Sequence, residues 1–340
     1  MNRILVIGIS GFLGSNIARH LLKAYSDVEA KGLSRKPSRL PETRGMIECV
    51  QGDITDPSSL AGRFKGIHTV IHVASKVRGS DSREFQTTNA AGTKNILDSC
   101  VREGVRRIIY VSNASVYGME LAHEAIEHEA LQLPATPVSL SRYEAERHLL
   151  SYHKAKTIEV LVLRPLFVYG RGDEFFIPPL LRALRRTPFL INGGRAKVSV
   201  VSVDDLADVI LELSQKLWPT SEFPVYHLND GYPIIFKEIV TTLRAWFPIR
   251  LTRISLPYNL ALLGMSIAGS KDKIFIGNNR RGKRRTISKA EFLHRIHLVS
   301  FDHYYSNARL MELLPGKTFY GFEQKFQDYV DYYQTLLFRS

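Results

Sequence analysis

Three glycines within nine residues, in VIGISGFLG at Val6–Gly14, carry the first chemistry this 340-residue sequence offers. Gly8, Gly11 and Gly14 stand between an apolar run ending at Ile7 and an amphipathic run beginning at Phe12. A strand that turns sharply into a helix presents unpaired backbone N–H groups, and a dinucleotide pyrophosphate is an anion such a turn can hold. Gly8 permits the turn, Gly11 lets the backbone approach the phosphates, and Gly14 lets helix and strand pack closely. Ser10, Phe12 and Leu13 are expected along the same cradle. At the end of the next strand, where a carboxylate would hold the ribose 2′-hydroxyl of NAD, the chain has Ser34, Arg35 and Lys36, with Arg39 close by. Positive charge there suits the 2′-phosphate of NADP, so NADP is the expected cofactor and NAD the less favoured one.

These residues need a scaffold. Strands read at Arg3–Ile7, Val28–Leu33, Met46–Val50, His68–Val73, Arg106–Val111 and Ile158–Leu163 alternate with helical patterns. That alternation predicts an α/β fold with a parallel sheet covered on both faces. Near the C-terminus Phe322, Phe326, Tyr329, Val330 and Tyr333 recur at helical spacing and are expected in the core. The apolar run Leu256–Gly269 is too short to span a membrane and reads as a core or pocket-lining helix, with a lid or membrane-touching helix as its other reading. A net charge of +13 favours anionic ligands. The basic run Arg280–Arg285 has no interleaved aromatics and reads as a solvated loop rather than a nucleic-acid groove; an acidic carrier, a phosphorylated ligand or an anionic membrane surface are its other readings. Cys49 and Cys100 are too few for a disulfide framework or zinc site and suit a reducing compartment, and no metal is expected. The opening strand leaves no room for a signal peptide, so a cytoplasmic protein is expected.

The motifs resemble those of the extended short-chain dehydrogenase/reductases almost end to end. GDITD at Gly52–Asp56 is similar to the loop whose Asp and following residue hold the adenine, which assigns Asp53 and Ile54. VIHVAS resembles the strand end lying along the cofactor, with Val73, Ala74 and Ser75; Asn89 resembles the start of a long helix. IIYVSNASVYG resembles the active-site strand, and LRPLFVYG the loop that meets the nicotinamide, with Pro165 and Val168. Val200–Ile210 and Tyr304–Pro315 also have counterparts, and the helix after Pro257 is similar to one in hydroxysteroid-type members. The resemblance implies a Rossmann-type doubly wound parallel sheet over residues 1–165, with parts of 195–230 returning to it. Residues 166–340 would be mostly a smaller α/β substrate-binding domain, with the site in the cleft between. It also implies a homodimer built from the helices near Arg83–Arg102 and Ser139–Tyr152.

The catalytic positions depart from the family. Its Ser or Thr three residues before Val-Tyr-Gly is here Asn113, and its Tyr-x-x-x-Lys falls on Val138 and Arg142 when the helix is aligned by Pro137 and Glu146. A second register, Tyr143 to Arg147, would move the helix by roughly 7 Å along its axis and turn another face to the cofactor. Valine cannot transfer a proton. Asn113 can donate a hydrogen bond to a carbonyl, and Arg142 can hold the cofactor ribose or clamp a carboxylate or phosphate. Tyr143 is a candidate beside the site, and Ser112, Ser115 and Tyr117 offer hydroxyls, with turn chemistry as their structural role. Phe167 replaces a common Asn, and Val198 replaces the arginine that binds a nucleotide-sugar diphosphate, with Arg195 and Lys197 as stand-ins. The expected function is an NADP-linked enzyme of small-molecule biosynthesis acting on a carbonyl, hydroxyl or anionic substrate, free or carrier-bound, by redox or non-redox chemistry. A cofactor-binding sensor or structural partner without turnover, and a nucleotide-sugar epimerase or dehydratase, are the alternatives.

Overall fold

In the computed structural model the alternating apolar and amphipathic segments form a seven-stranded sheet. The structure describes residues 3–25, 28–37, 47–79, 81–118, 122–125, 134, 136–186, 189–219, 221–252, 254–262, 273–278 and 284–338. The strands are β1 (Ile4–Ile7), β2 (Ala30–Ser34), β3 (Glu48–Gln51), β4 (Thr69–His72), β5 (Arg107–Val111), β6 (Glu159–Arg164) and β7 (Val225–His227). Their order is β7-β6-β5-β4-β1-β2-β3, and every neighbouring pair is parallel. The first six were read from the sequence within one or two residues; β7 was not. The topology is that of a Rossmann-type doubly wound sheet, with its switch point between β1 and β4.

Burial explains why β1 is apolar at every position. Ile4 and Val6 face one side, where α1 (Phe12–Ala24) supplies Ile17 and Leu21 and α4 (Val203–Gln215) supplies Leu206 and Ile210. Leu5 and Ile7 face the other, where α2 (Gly92–Glu103) supplies Ile96 and Leu97 and α3 (Pro137–Lys154) supplies Ala145 and Leu149. Local chemistry fixes the helix ends. Thr136 accepts a hydrogen bond from the Ser139 N–H and Pro137 opens α3, while Gly104 closes α2 at φ 78°. Both α4 and β7 pack onto this sheet, so the chain returns to it after leaving at β6.

A second core gathers Tyr169, Phe176, Leu181, Val240 and Leu243 with Phe322, Phe326, Tyr329, Val330 and Tyr333, the stripe expected from the C-terminal spacing. A four-stranded sheet of Ile234–Ile235, Lys197–Val198, His303–Tyr305 and Ala122–Ala125 lies on this side of the molecule. Two expectations are corrected. Arg284 and Arg285 are not in a loop: Arg284–Ser288 is a strand antiparallel to Lys273–Asn278, since Thr286 and Ile287 supply β-branched residues that favour pairing. Arg280 to Lys283 lie outside the described residues. The run Leu256–Gly269 begins not in a helix but in a short strand, Ser255–Leu256, paired with Leu190–Ile191; residues 258–262 are helical, and 263–269 lie outside the described residues. Among the described residues no helix is long and apolar enough to cross a membrane.

Candidate cofactor and substrate cleft

A cleft of about 570 Å³ follows the carboxyl ends of β1, β2, β4, β5 and β6, where a doubly wound sheet binds ligands. Its floor is the glycine turn. Gly8 has φ +90°, and a Cβ there would lie 2.7 Å from the Ala74 nitrogen. A Cβ on Gly14 would meet the Gly8 carbonyl oxygen at 2.2 Å, so Gly14 packs the helix onto the turn and does not itself line the cleft. Gly11 is exposed, with only the Gly8 carbonyl oxygen near its missing Cβ. As the N-cap of α1 it supplies no side chain to the helix N–H groups, and the first turn holds no acid. Ser10, Gly11, Phe12 and Leu13 line this open anion cradle, so the residues fit a dinucleotide pyrophosphate.

At the adenosine end Ser10 Oγ and Ser34 Oγ are 2.9 Å apart, and Arg35 borders the cleft with its side chain exposed. Lys36 is exposed and does not line it; its backbone N–H donates to Ser34 Oγ, closing the turn. Arg39 lies outside the described residues. Asp53 and Ile54 line the cleft, and Asp53 Oδ1 accepts from the Thr55 N–H and hydroxyl. Val73, Ala74 and Ser75 continue the wall, with Ser75 donating to Asn89 Oδ1. Asp53 is the single carboxylate among the described lining residues, against Arg35, Lys76, Arg142 and Arg295.

At the far end Asn113, Ser115, Val138, Arg142, Pro165 and Val168 all line the cleft. Asn113 caps the short helix Ala114–Tyr117: its Oδ1 accepts from the Ser115 N–H and its Nδ2 donates to the Leu166 carbonyl at 2.8 Å. One Nδ2 hydrogen is therefore all that the amide has left to offer. Ser139 donates to Ser115 Oγ at 3.0 Å, and Thr136 Oγ1 lies 2.8 Å from Ser139 Oγ, so three hydroxyls form a chain along the wall. Phe167 and Phe176 stack at 4.4 Å to make an apolar shelf.

The two registers of α3 separate here. Val138 and Arg142 line the cleft, whereas Tyr143 does not and Arg147 is exposed. Tyr143 is thus set aside as a site residue, because one residue beyond Arg142 the helix turns by about 100° and carries it off the cleft face. Tyr117 is also turned inward: its hydroxyl meets His227 Nε2 at 2.6 Å and Arg164 at 2.7 Å in the core. Arg195 borders a separate depression with Asn192, Ser255 and Asp302, and Val198 is buried between strands, so neither they nor Lys197 reach the main cleft. The sequence reading missed Lys76, Thr136 and Ser139, and above all His294, Arg295 and Leu298. These last three sit on the helix Lys289–Ser300, whose amphipathicity is too weak to mark a cleft-facing side.

A family profile for the NAD dependent epimerase/dehydratase family matches residues 4–223. The UDP-glucose 4-epimerase of Vibrio cholerae is 28% identical over 249 residues, covering 71% of this chain and 74% of its own. The short-chain dehydrogenase/reductase family 42E member 1 of Danio rerio is 27% identical over 359 residues, covering 98% of this chain and 87% of its own. Among solved structures, the UDP-glucuronic acid 4-epimerase from Bacillus cereus in complex with NAD superimposes with a TM-score of 0.72 at 19% identity, covering 98% of this chain and 97% of that one. The dTDP-glucose 4,6-dehydratase from Streptomyces venezuelae gives 0.71 at 22%, with the same coverages. The sheet order, the glycine turn and the profile match together place this chain in the NAD dependent epimerase/dehydratase family of extended short-chain dehydrogenase/reductases.

Proposed function

We propose that the protein is an NADP(H)-binding enzyme of small-molecule biosynthesis whose cleft takes an anionic carbonyl or hydroxyl compound and lacks the family's tyrosine proton donor. The observation that carries the cofactor preference is Arg35, exposed at the cleft edge beside Ser34, where a carboxylate would otherwise take the ribose. When bound, the dinucleotide supplies hydride transfer at the nicotinamide. Gly11, Phe12 and Leu13 would hold its pyrophosphate, Asp53 and Ile54 its adenine, and Arg142 its nicotinamide ribose. Lys76, Arg142 and Arg295 favour an anionic substrate, and the stacked Phe167 and Phe176 favour an apolar portion beside the anion. The relatives and solved neighbours include epimerases and a dehydratase named for nucleotide sugars. Val198, buried in a strand, argues against that substrate class for this chain.

Calorimetry with both cofactors tests this reading. NADP(H) should bind more tightly than NAD(H), and Arg35→Ala should remove about 1–3 kcal/mol of the difference, as for hydrogen bonds to charged groups. Equal affinities in the parent protein would sink the preference. A second reading, a cofactor-binding sensor without turnover, is favoured by the Asn113 amide being committed to Leu166 and Ser115.

A further inference from the structure

Val138 leaves the reaction end of the cleft without the family's proton donor, and the other described lining groups do not make good the loss. Ser115, Ser139 and Thr136 are hydroxyls that relay protons; Arg142, Arg295 and Lys76 are donors suited to holding an anion; Asp53 lies at the adenine end. The exception is an imidazole. His294 is 4% exposed, lines the cleft, and comes from the C-terminal helix Lys289–Ser300. Its position along the cleft follows from its neighbour one turn later. Leu298 packs with Ala114, Tyr117, Leu166 and Phe167, the turn and loop that flank Asn113 and Ser115. Residues four apart share a helix face, so helix geometry places His294 towards the same end of the cleft, which Val138, Ser115 and Ser139 also line.

We propose that His294 is the proton-exchanging group at the nicotinamide end of the cleft, in the place that Val138 leaves without one. The proposal rests on the dinucleotide reading above. A carbonyl substrate that gains a hydride at carbon takes the imidazolium proton at oxygen, leaving an alcohol and a neutral imidazole; in reverse the neutral imidazole takes the alcohol proton as the hydride leaves. The hydroxyls of Ser115 and Ser139 can hold the substrate oxygen in either direction.

Among the described residues, the charged and titratable groups near His294 include Arg295 and His297 on its own helix and His303 on the neighbouring strand, and the cleft it lines also carries Arg142 and Lys76. Burial, with His297 and His294 nearby, pushes His303 down to about 3, and burial lowers His297. His294 is then the group whose charge change should be felt by the nicotinamide ring.

The test needs no substrate. NADP+ carries a positive nicotinamide and NADPH a neutral one, so an imidazolium beside the ring weakens the first selectively. The ratio of the two dissociation constants, Kd(NADP+) over Kd(NADPH), should fall roughly tenfold as pH rises from about 5.5 to 8. The titrating 2′-phosphate is common to both and cancels. In His294→Gln the ratio should be flat while NADPH still binds, which also reports an intact fold; in His297→Gln the slope should persist. The His294 imidazole resonance in NMR should titrate at the pH where the ratio changes. A flat ratio in the parent protein, or a slope retained in His294→Gln, overturns the proposal while leaving the cofactor reading intact. If neither dinucleotide binds, both fall.

Discussion

Arg164 is 1% exposed and fully charged, which requires a partner of equal burial. Glu146 provides it, with 2.5 Å between Arg164 Nη2 and Glu146 Oε2 and further bonds from the guanidinium to Glu146 and the Tyr117 hydroxyl. Burial disfavours the charge, but Glu146 and Tyr117 outweigh it and hold the guanidinium above its ordinary range. Removing one member strands the other charge in the core, at a cost of about 3–5 kcal/mol. Glu146→Ala should therefore lower the urea midpoint markedly, and a midpoint unchanged within error would show that the pair is not needed. At this scale the sequence was legible where type and spacing coincide: Gly8, Gly11 and Gly14 form the turn between β1 and α1, and Asp53 and Val138 line the cleft. It was illegible where a partner is distant in the chain. Glu146 was read as a register mark of its helix, and nothing local indicated that it faces Arg164, eighteen residues on.

Helix α3 sets which side chains the reaction end receives, and its register makes a chemical prediction. With Val138 and Arg142 on the cleft face and Tyr143 off it, Tyr143→Phe should leave NADPH affinity and any turnover unchanged. The triple change Asn113→Ser, Val138→Tyr and Arg142→Lys restores a tyrosine acid with a lysine beneath it. It should create or raise NADPH oxidation with a carbonyl substrate, followed at 340 nm, since a positioned acid typically supplies a factor of about 10² to 10⁴. Abolition of turnover by Tyr143→Phe would reinstate the other register.

A second pair of elements carries a pH dependence. His20 on α1 meets Asp208 at 2.7 Å and Asp204 at 3.0 Å on α4. Burial alone would lower the imidazole, but the hydrogen bonds to Asp204 and Asp208 outweigh it and push it up to about 9. Asp204, whose burial acts upward, is held down to about 2 by His20 and Tyr329. His20 is raised above its ordinary 6.5, so its contribution is complete below that pH and is lost as pH rises through 9. Asp204 contributes above its ordinary 3.8 and loses that as pH falls towards 2. The clasp is strongest between about pH 4 and 6.5, and the stability gap between the parent and His20→Gln should narrow from pH 6.5 to 9. A constant gap in denaturation midpoints over that range would refute the clasp. Helix α1 was legible because its apolar face begins directly after the glycine turn, whereas α4 was met only through a stretch with family counterparts. The seventh strand was not legible, since Val225–His227 is three residues long and too short to show a period.

For the whole molecule we expect the outer face of α2 and α3 to carry the assembly. The inner faces are fixed to the sheet by Ile96, Leu97, Ala145 and Leu149, and the two helices are tied to each other where the Tyr152 hydroxyl donates to Asp98, itself paired with Lys94. What remains outward includes Val101, 42% exposed, the half-buried His148, and charges of both signs in Lys94, Asp98, Glu144 and Arg147. A two-fold axis between two such faces would bring four helices together, set mixed charges against their own opposites and bury Val101. We therefore expect a homodimer at micromolar concentration, seen as twice the 38.6 kDa chain mass in light scattering. Val101→Glu should shift it towards the monomer, because a carboxylate buried in that face would be desolvated without a partner, while NADPH binding is kept, since Val101 does not line the cleft. A monomeric mass for the unaltered protein would overturn this assembly, and a dimer indifferent to Val101→Glu would move the interface to another face.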